Sequence, residues 1–361
     1  MLYIIQTLPG LGPFAWREAE ERLPTIEGRA PTTIGTRFVP GRNDMVIVNH
    51  AGGPGPLLKL RTAEDVFSVA ARAFKIASDD RGVRQIHAAV SKSPFVGDAL
   101  STWRKANGMR GQSLNYRVIA RVVGQQKFLR RDVGKAVSDA ISDGWPGRWT
   151  RVEDDADIEI WATLLQDELI CGLRLTDKEM RQGGKLRHIP ASLRPALAAA
   201  MVLLTNPAPN DVFLDPMAGA GTILYERAQA GPFREIHGGD SSADALIAMR
   251  SNLRSVGGDL TISRWDARSL PLEANSVDKV AVNLPFGKQI AGQVDLPTLY
   301  RATLAEIERV LRRGGRLVAL VGDVHMLDVA RIAAARQLRP LERYRVQLLG
   351  QPATICEYQR T

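Results

Sequence analysis

Between residues 211 and 358 the chain alternates short apolar runs with stretches of helical periodicity, and this pattern constrains its fold more than any other feature. The runs are residues 211–215, 235–240, 260–265, 277–283, 315–322, 344–349 and 353–358, and helical patterns separate the first five. A strand followed by a helix and another strand returns parallel to itself, so such alternation predicts a parallel, doubly wound sheet. Ligands of such sheets sit beyond the carboxyl ends of the strands. Only Gly350-Gln351-Pro352 separates the last two runs, too little for a crossover, so those two should pair antiparallel at the sheet's edge.

The chain upstream has another texture. An apolar run at residues 2–6, a helical stretch at 13–23 and a strand-like run at 44–49 lead into AGGPGP at 51–56, which reads as a loop or linker. Residues 62–74 are amphipathic, 114–123 alternate like a strand, and 130–143 are helix-like. Runs at 158–164 and 168–175 form a hairpin about Gln166 and Asp167. After Gly183 and Gly184 a helix is expected, its start marked by Ser192 and by Pro195 in the first turn.

With 45% apolar and 24% charged residues in 361, two or three globular domains are expected. No window is long and apolar enough for a membrane span, and the first twenty residues lack the pattern of a secretory leader, so a cytoplasmic location and no membrane partner are expected. Cys171 and Cys356 cannot build a disulfide framework, and the five histidines lack ligand spacing, so no metal is expected. Net charge is +9, and its distribution is informative: residues 103–135 hold nine basic residues against the single acid Asp132. Arg104, Lys105, Lys127, Arg130, Arg131 and Lys135 are the candidates for phosphate contact.

Three acids close three successive strands. Asp215 opens the turn Asp215-Pro216-Met217-Ala218-Gly219-Ala220-Gly221-Thr222, where glycines let backbone approach a ligand. A phosphate loop needs unopposed N–H groups; an acid there suits the ammonium of an amino-acid ligand instead. Asp240, in GGDSS, follows roughly 20 residues later, where an acid accepts both hydroxyls of a ribose. Asp266, in RWDAR, can accept from an adenine amine. Asn283-Leu284-Pro285-Phe286 ends the fourth strand. There an amide oxygen beside a backbone carbonyl can take the two hydrogens of an exocyclic amine, while the aromatic ring stacks on the extruded base.

With Arg187-His188-Ile189-Pro190-Ala191-Ser192-Leu193-Arg194-Pro195, FLDPMAGAGTILYE and NLPFG, the chain resembles the THUMP-domain-containing RNA guanine-N2 methyltransferases, a group acting on tRNA with relatives acting on ribosomal RNA. The antiparallel pair at the sheet edge is in keeping, since Rossmann-type methyltransferases usually have it and dinucleotide-binding dehydrogenases usually lack it. The resemblance implies an α/β fold: a Rossmann-type methyltransferase domain at 178–361, with a mostly parallel seven-stranded sheet, preceded by an α+β ferredoxin-like part at 1–56 and a THUMP RNA-binding domain at 57–177. It implies S-adenosyl-L-methionine as cofactor and RNA as partner, tRNA ahead of rRNA; a monomer is expected. His188, Pro190, Ala191 and Ser192 would close over the cofactor. Asp215, Met217, Gly219, Gly221 and Thr222 would cradle its methionine side, and Asp240, Ser241, Asp266, Ala267 and Asn283 would complete its site. Two departures stand out: Ala218 and Ala220 replace frequent Cys and Ser, and Leu284 stands where many amino-methyltransferases have a second proline. N6-adenine methylation, or an RNA-binding protein without activity, are the alternatives.

Overall fold

The computed structural model describes residues 1–109, 113–177, 192–286, 295–348 and 350–361. The chain divides into two compact units, Met1–Met180 and Arg181–Thr361.

The first unit is built on one eight-stranded sheet. Its strands are β1 (Leu2–Thr7), β2 (Thr32–Arg37), β3 (Asp44–Asn49), β4 (Asp65–Ala73), β5 (Ser113–Val123), β6 (Arg148–Arg151), β7 (Ile158–Leu165) and β8 (Glu168–Arg174), in the order β2-β3-β1-β4-β8-β7-β5-β6. Among the described residues four α-helices accompany it: α1 (Gly12–Arg22), α2 (Asp80–Ser91), α3 (Val96–Asn107) and α4 (Arg130–Gly144). The boundary expected at residue 56 falls within this unit, because β4 pairs with β1 on one side and β8 on the other. Residues 62–74, amphipathic by pattern, contain a strand: β4 is central and its first seven residues are all buried, so alternation between a wet and a dry face has no meaning there. The hairpin turns where expected, with Gln166 at φ 55.

The second unit carries β9 (Val212–Asp215), β10 (Glu235–Asp240), β11 (Leu260–Arg264), β12 (Val277–Asn283), β13 (Leu311–Val321), β14 (Leu338–Leu348) and β15 (Gln351–Arg360), ordered β11-β10-β9-β12-β13-β15-β14. Its described helices are α5 (Pro195–Leu204), α6 (Thr222–Gln229), α7 (Ala243–Asn252), α8 (Leu296–Val310) and α9 (Val324–Ala334). Strands β9 to β13 pair parallel; β15 runs antiparallel to both β13 and β14. The reversed strand therefore lies one place in from the edge, and β14 is outermost. Helix α5 is apolar all round and buries nine of its ten residues, as a core helix must. Its N-cap position is Arg194 rather than Ser192, and Pro195 occupies its first turn.

The order reverses between β9 and β12, since the chain runs outward through β10 and β11 and then returns to β12 on the opposite side. A crevice opens at such a point because successive helices lie on opposite faces. Registers Gly238 with Asp215, Asp240 with Arg264, and Val280 with Leu214 bring the carboxyl ends of these four strands to one edge.

Arg227 pins the opposite side of this frame. Its side chain is fully buried, and its guanidinium donates to the carbonyls of Gly231 (3.1 Å), Ala208 (2.9 Å) and Pro232 (3.1 Å), with Asp211 at 3.9 Å. A lysine ammonium cannot reach three carbonyls from one point, so Arg227→Lys should destabilise the protein by about 1–3 kcal/mol. A thermal melt checks this; an unchanged midpoint would mean that water satisfies those carbonyls equally well.

Candidate active site

At the switch point lies a cleft of about 900 Å³. Asp215, Asp240, Asp266 and Asn283, each leaving a different strand, all line it. Met217, Gly219, Thr222, Ser241, Ala267, Pro285 and Ser192 join them. His188, Pro190 and Ala191 lie outside the described residues.

The turn after β9 is tied to the end of β10. Ala218 donates its N–H to the Gly239 carbonyl (2.9 Å), and the Gly219 N–H donates to Oδ2 of Asp240 (3.0 Å). Asp240 Oδ1 accepts from the Ser242 N–H (2.9 Å), so each oxygen holds one backbone donor and keeps a lone pair for a ligand. The two glycines of GGDSS make this approach possible. A β-carbon at Gly238 would lie 2.1 Å from Cδ1 of Leu224, and one at Gly239 would lie 2.2 Å from Cε2 of Trp265. Trp265 lies against Gly239 and donates its indole N–H to the Pro216 carbonyl (3.0 Å).

Gly221 has a different task from that of a ligand contact. It sits at φ 80 before α6, and a β-carbon there would meet Cγ of Met249 at 2.8 Å, so it permits the turn and the close packing of the helix against α7. Leu284 is fully buried in the core and Phe286 packs beside Gly322, so Leu284 can serve a ligand only through its backbone.

The cleft is acidic although the chain is basic. Among the described residues, Asp215, Asp240, Asp244, Asp266 and Asp295 line it against Arg268 alone. Such a wall attracts a cation and repels a pyrophosphate. Asp215 is the most confined, at 1% exposure, accepting from the Met217 N–H (3.1 Å). Burial pushes its carboxyl well above the usual range, and the charge of Asp240 adds to the rise. Asp266 is held low by its hydrogen bonds with Arg268, the shortest at 2.6 Å. Asn283 contributes a buried Oδ1 with no hydrogen-bond partner among the described residues. A buried acceptor without a donor costs free energy, and its place on the cleft wall marks where a ligand donor belongs.

Nucleophilic catalysis has no candidate cysteine here. Burial pushes the Cys171 thiol up to about 12 and that of Cys356 to about 11, so neither forms a thiolate at neutral pH. No group of metal-ligating side chains occurs among the described residues. None of the described helices is long and apolar enough to cross a membrane.

The basic strip of the first unit separates into distinct environments. Arg117 is spent on Glu159 (2.5 Å) and the Glu153 carbonyl, and Arg121 stacks over Trp161 at 4.2 Å. Arg110 lies outside the described residues. Arg104 and Lys105 occupy the last turn of α3. Lys127, Arg130, Arg131 and Lys135 are exposed ahead of α4 and along its first turns, Arg131 facing Asp132 at 3.7 Å and Lys135 facing Asp139 at 2.5 Å. Trp265, Arg268 and Asp295 also line the cleft; the first two flank Asp266 in RWDAR, a motif that marks only its acid, and Asp295 reaches the cleft only through the fold.

Residues 183–351 match the family described as RMKL-like, methyltransferase domain. Over 64% of this chain and 50% of the relative, the sequence is 29% identical to the tRNA (guanine(6)-N(2))-methyltransferase THUMP3 of Mus musculus. Over 57% of this chain and 62% of the relative, it is 29% identical to a tRNA (guanine(6)-N2)-methyltransferase of Thermus thermophilus. The crystal structure of TrmN from Thermus thermophilus superposes over 100% of both chains with a TM-score of 0.78 at 23% identity, which establishes the fold. The chain spans about half the length of the curated mammalian tRNA relatives it matches.

Proposed function

We propose, on the premise that residues 183–351 match the RMKL-like methyltransferase domain, that the chain methylates the N2 amino group of a guanine in structured RNA, tRNA ahead of rRNA, using S-adenosylmethionine. One observation carries this reading: Asn283, whose buried amide oxygen has no hydrogen-bond partner among the described residues, lines the same acidic cleft as Asp215, Asp240 and Asp266. The relatives bearing guanine-N2 names support the choice of amine and of RNA.

The cleft's residues fit the cofactor's chemistry. The Asp215 carboxyl suits an ammonium, Asp240 retains lone pairs for a ribose diol, and Asp266 with Ala267 borders the space for an adenine. S-adenosylmethionine, when bound, supplies an electrophilic methyl group on a sulfonium. The chain's own task is then positioning, which alone can supply several kcal/mol of a barrier. Asn283 Oδ1 accepts one N2 hydrogen and the Leu284 carbonyl accepts the other, which aims the nitrogen lone pair into the cleft. Phe286 offers its ring to the unstacked base, and the pocket walls keep water from the reacting face. Arg104, Lys105, Lys127, Arg130, Arg131 and Lys135 hold phosphates at the first unit.

Purified protein incubated with labelled S-adenosylmethionine and total tRNA and rRNA should yield labelled N2-methylguanosine by nucleoside mass spectrometry. Labelled N6-methyladenosine would reassign the target amine; cofactor binding without transfer to any RNA would leave only a binding protein.

A further inference from the structure

The exit of β12 is braced by two residues to which the transfer reading gives no task. Leu284 donates its N–H to the Leu320 carbonyl on β13 (3.1 Å), and its side chain is fully buried. One peptide further on, the Pro285 carbonyl accepts a hydrogen bond from the Tyr300 hydroxyl on α8 (2.9 Å). Tyr300 is 1% exposed. Burial pushes its phenol up to about 12, so the hydroxyl keeps its proton at any working pH and remains a donor. From another direction Phe286 packs on the bare backbone of Gly322, which follows β13: a β-carbon there would lie 2.8 Å from Cδ2 and 3.1 Å from Cγ of the ring.

The peptide that carries the Leu284 carbonyl lies between these anchors. Its preceding neighbour is fixed to β13 and its following neighbour to α8. A proline at 284 would fix φ through its ring but could not donate to Leu320. Leucine leaves that dihedral to be held by contacts.

We infer that Tyr300 and Gly322 are positioning residues for methyl transfer, holding residues 284–286 so that the Leu284 carbonyl and the Asn283 amide oxygen meet the target amine together, in place of a second proline. The inference rests on the transfer reading above. It predicts a loss in turnover rather than in binding, because a displacement on the order of 1 Å at a positioning group costs about 10²-fold in rate.

The test compares Tyr300→Phe with the parent in the full chain, measuring kcat and KM for tRNA with labelled cofactor, and cofactor Kd by calorimetry. Expected is a fall in kcat of roughly 10- to 100-fold, with KM and Kd within about twofold of the parent. A kcat within about twofold of the parent overturns the inference and leaves the transfer reading standing. A cofactor Kd that rises in step with the loss also overturns it, since the hydroxyl would then be supporting the cofactor cleft. A parent that binds cofactor but methylates no RNA overturns both. Should Tyr300→Phe fail to fold, Gly322→Ala decides: a loss confined to kcat supports the inference, and an unchanged kcat overturns it.

Discussion

Asn283→Ala is expected to bind S-adenosylmethionine within about twofold of the parent and to lose about 10²- to 10³-fold in kcat, the scale seen when one preorganised polar contact to a reacting group is removed. The Asn283 Oδ1 is already desolvated and unpartnered, so alanine gives up no hydrogen bond within the described protein and the fold should tolerate it. The loss should appear only when the amine is in place, as expected for an interaction made at the transition state. Asn283→Asp is the informative companion, since it keeps an acceptor at the same position and should retain part of the turnover that alanine removes. Single-turnover transfer to tRNA, read beside calorimetric cofactor affinity, makes the measurement. Turnover preserved in the alanine variant would remove Asn283 from the clamp.

Asp215→Asn should weaken cofactor affinity by about 10²-fold and raise the melting temperature of the ligand-free protein. Truncating one member of a desolvated charge pair costs about 2–5 kcal/mol, which is the expected fate of the ammonium contact. Stability moves the other way because the carboxyl is buried and held above its ordinary range. A carboxyl whose native pKa exceeds its unfolded value of about 3.9 favours the fold fully below that value. The advantage disappears as pH rises through the native pKa, and above it the buried carboxylate is a cost. Asparagine keeps the acceptor for the Met217 N–H and carries no charge, so the variant should melt higher at pH 8, by about 2–4 °C per kcal/mol relieved. The difference should shrink as pH falls toward 5. Equal melting points across that range would mean that Asp215 stores no such cost, and unchanged cofactor affinity would mean that it does not hold the ligand.

Much of the site could be read along the chain, because strand ends are local events. Asp215, Asp240, Asp266 and Asn283 each stand at or just after the end of an apolar run, so their positions in the elements needed no tertiary information; the helical pattern expected between residues 265 and 277 is not formed, since β11 passes to β12 through turns alone. The first unit was less legible. Strand β4, buried on both sides, has no alternation to read, and α2 and α3 fall where no apolar period was singled out. The basic strip was legible as charge but not as exposure. Arg117 and Arg121 are consumed by Glu159 and Trp161, partners 42 residues away in the first case and on a neighbouring strand in both.

The sequence alone determined the parallel α/β framework, the antiparallel return of its last strands and the identity of the polar groups at the strand ends, because periodicity and turn chemistry act over a few residues. Only tertiary structure decided that those groups share one cavity, that burial and a neighbouring carboxylate raise the Asp215 carboxyl, and that Tyr300 reaches the Pro285 carbonyl from another helix. Each of these depends on distance through space, and on the water excluded between residues that the chain itself keeps far apart.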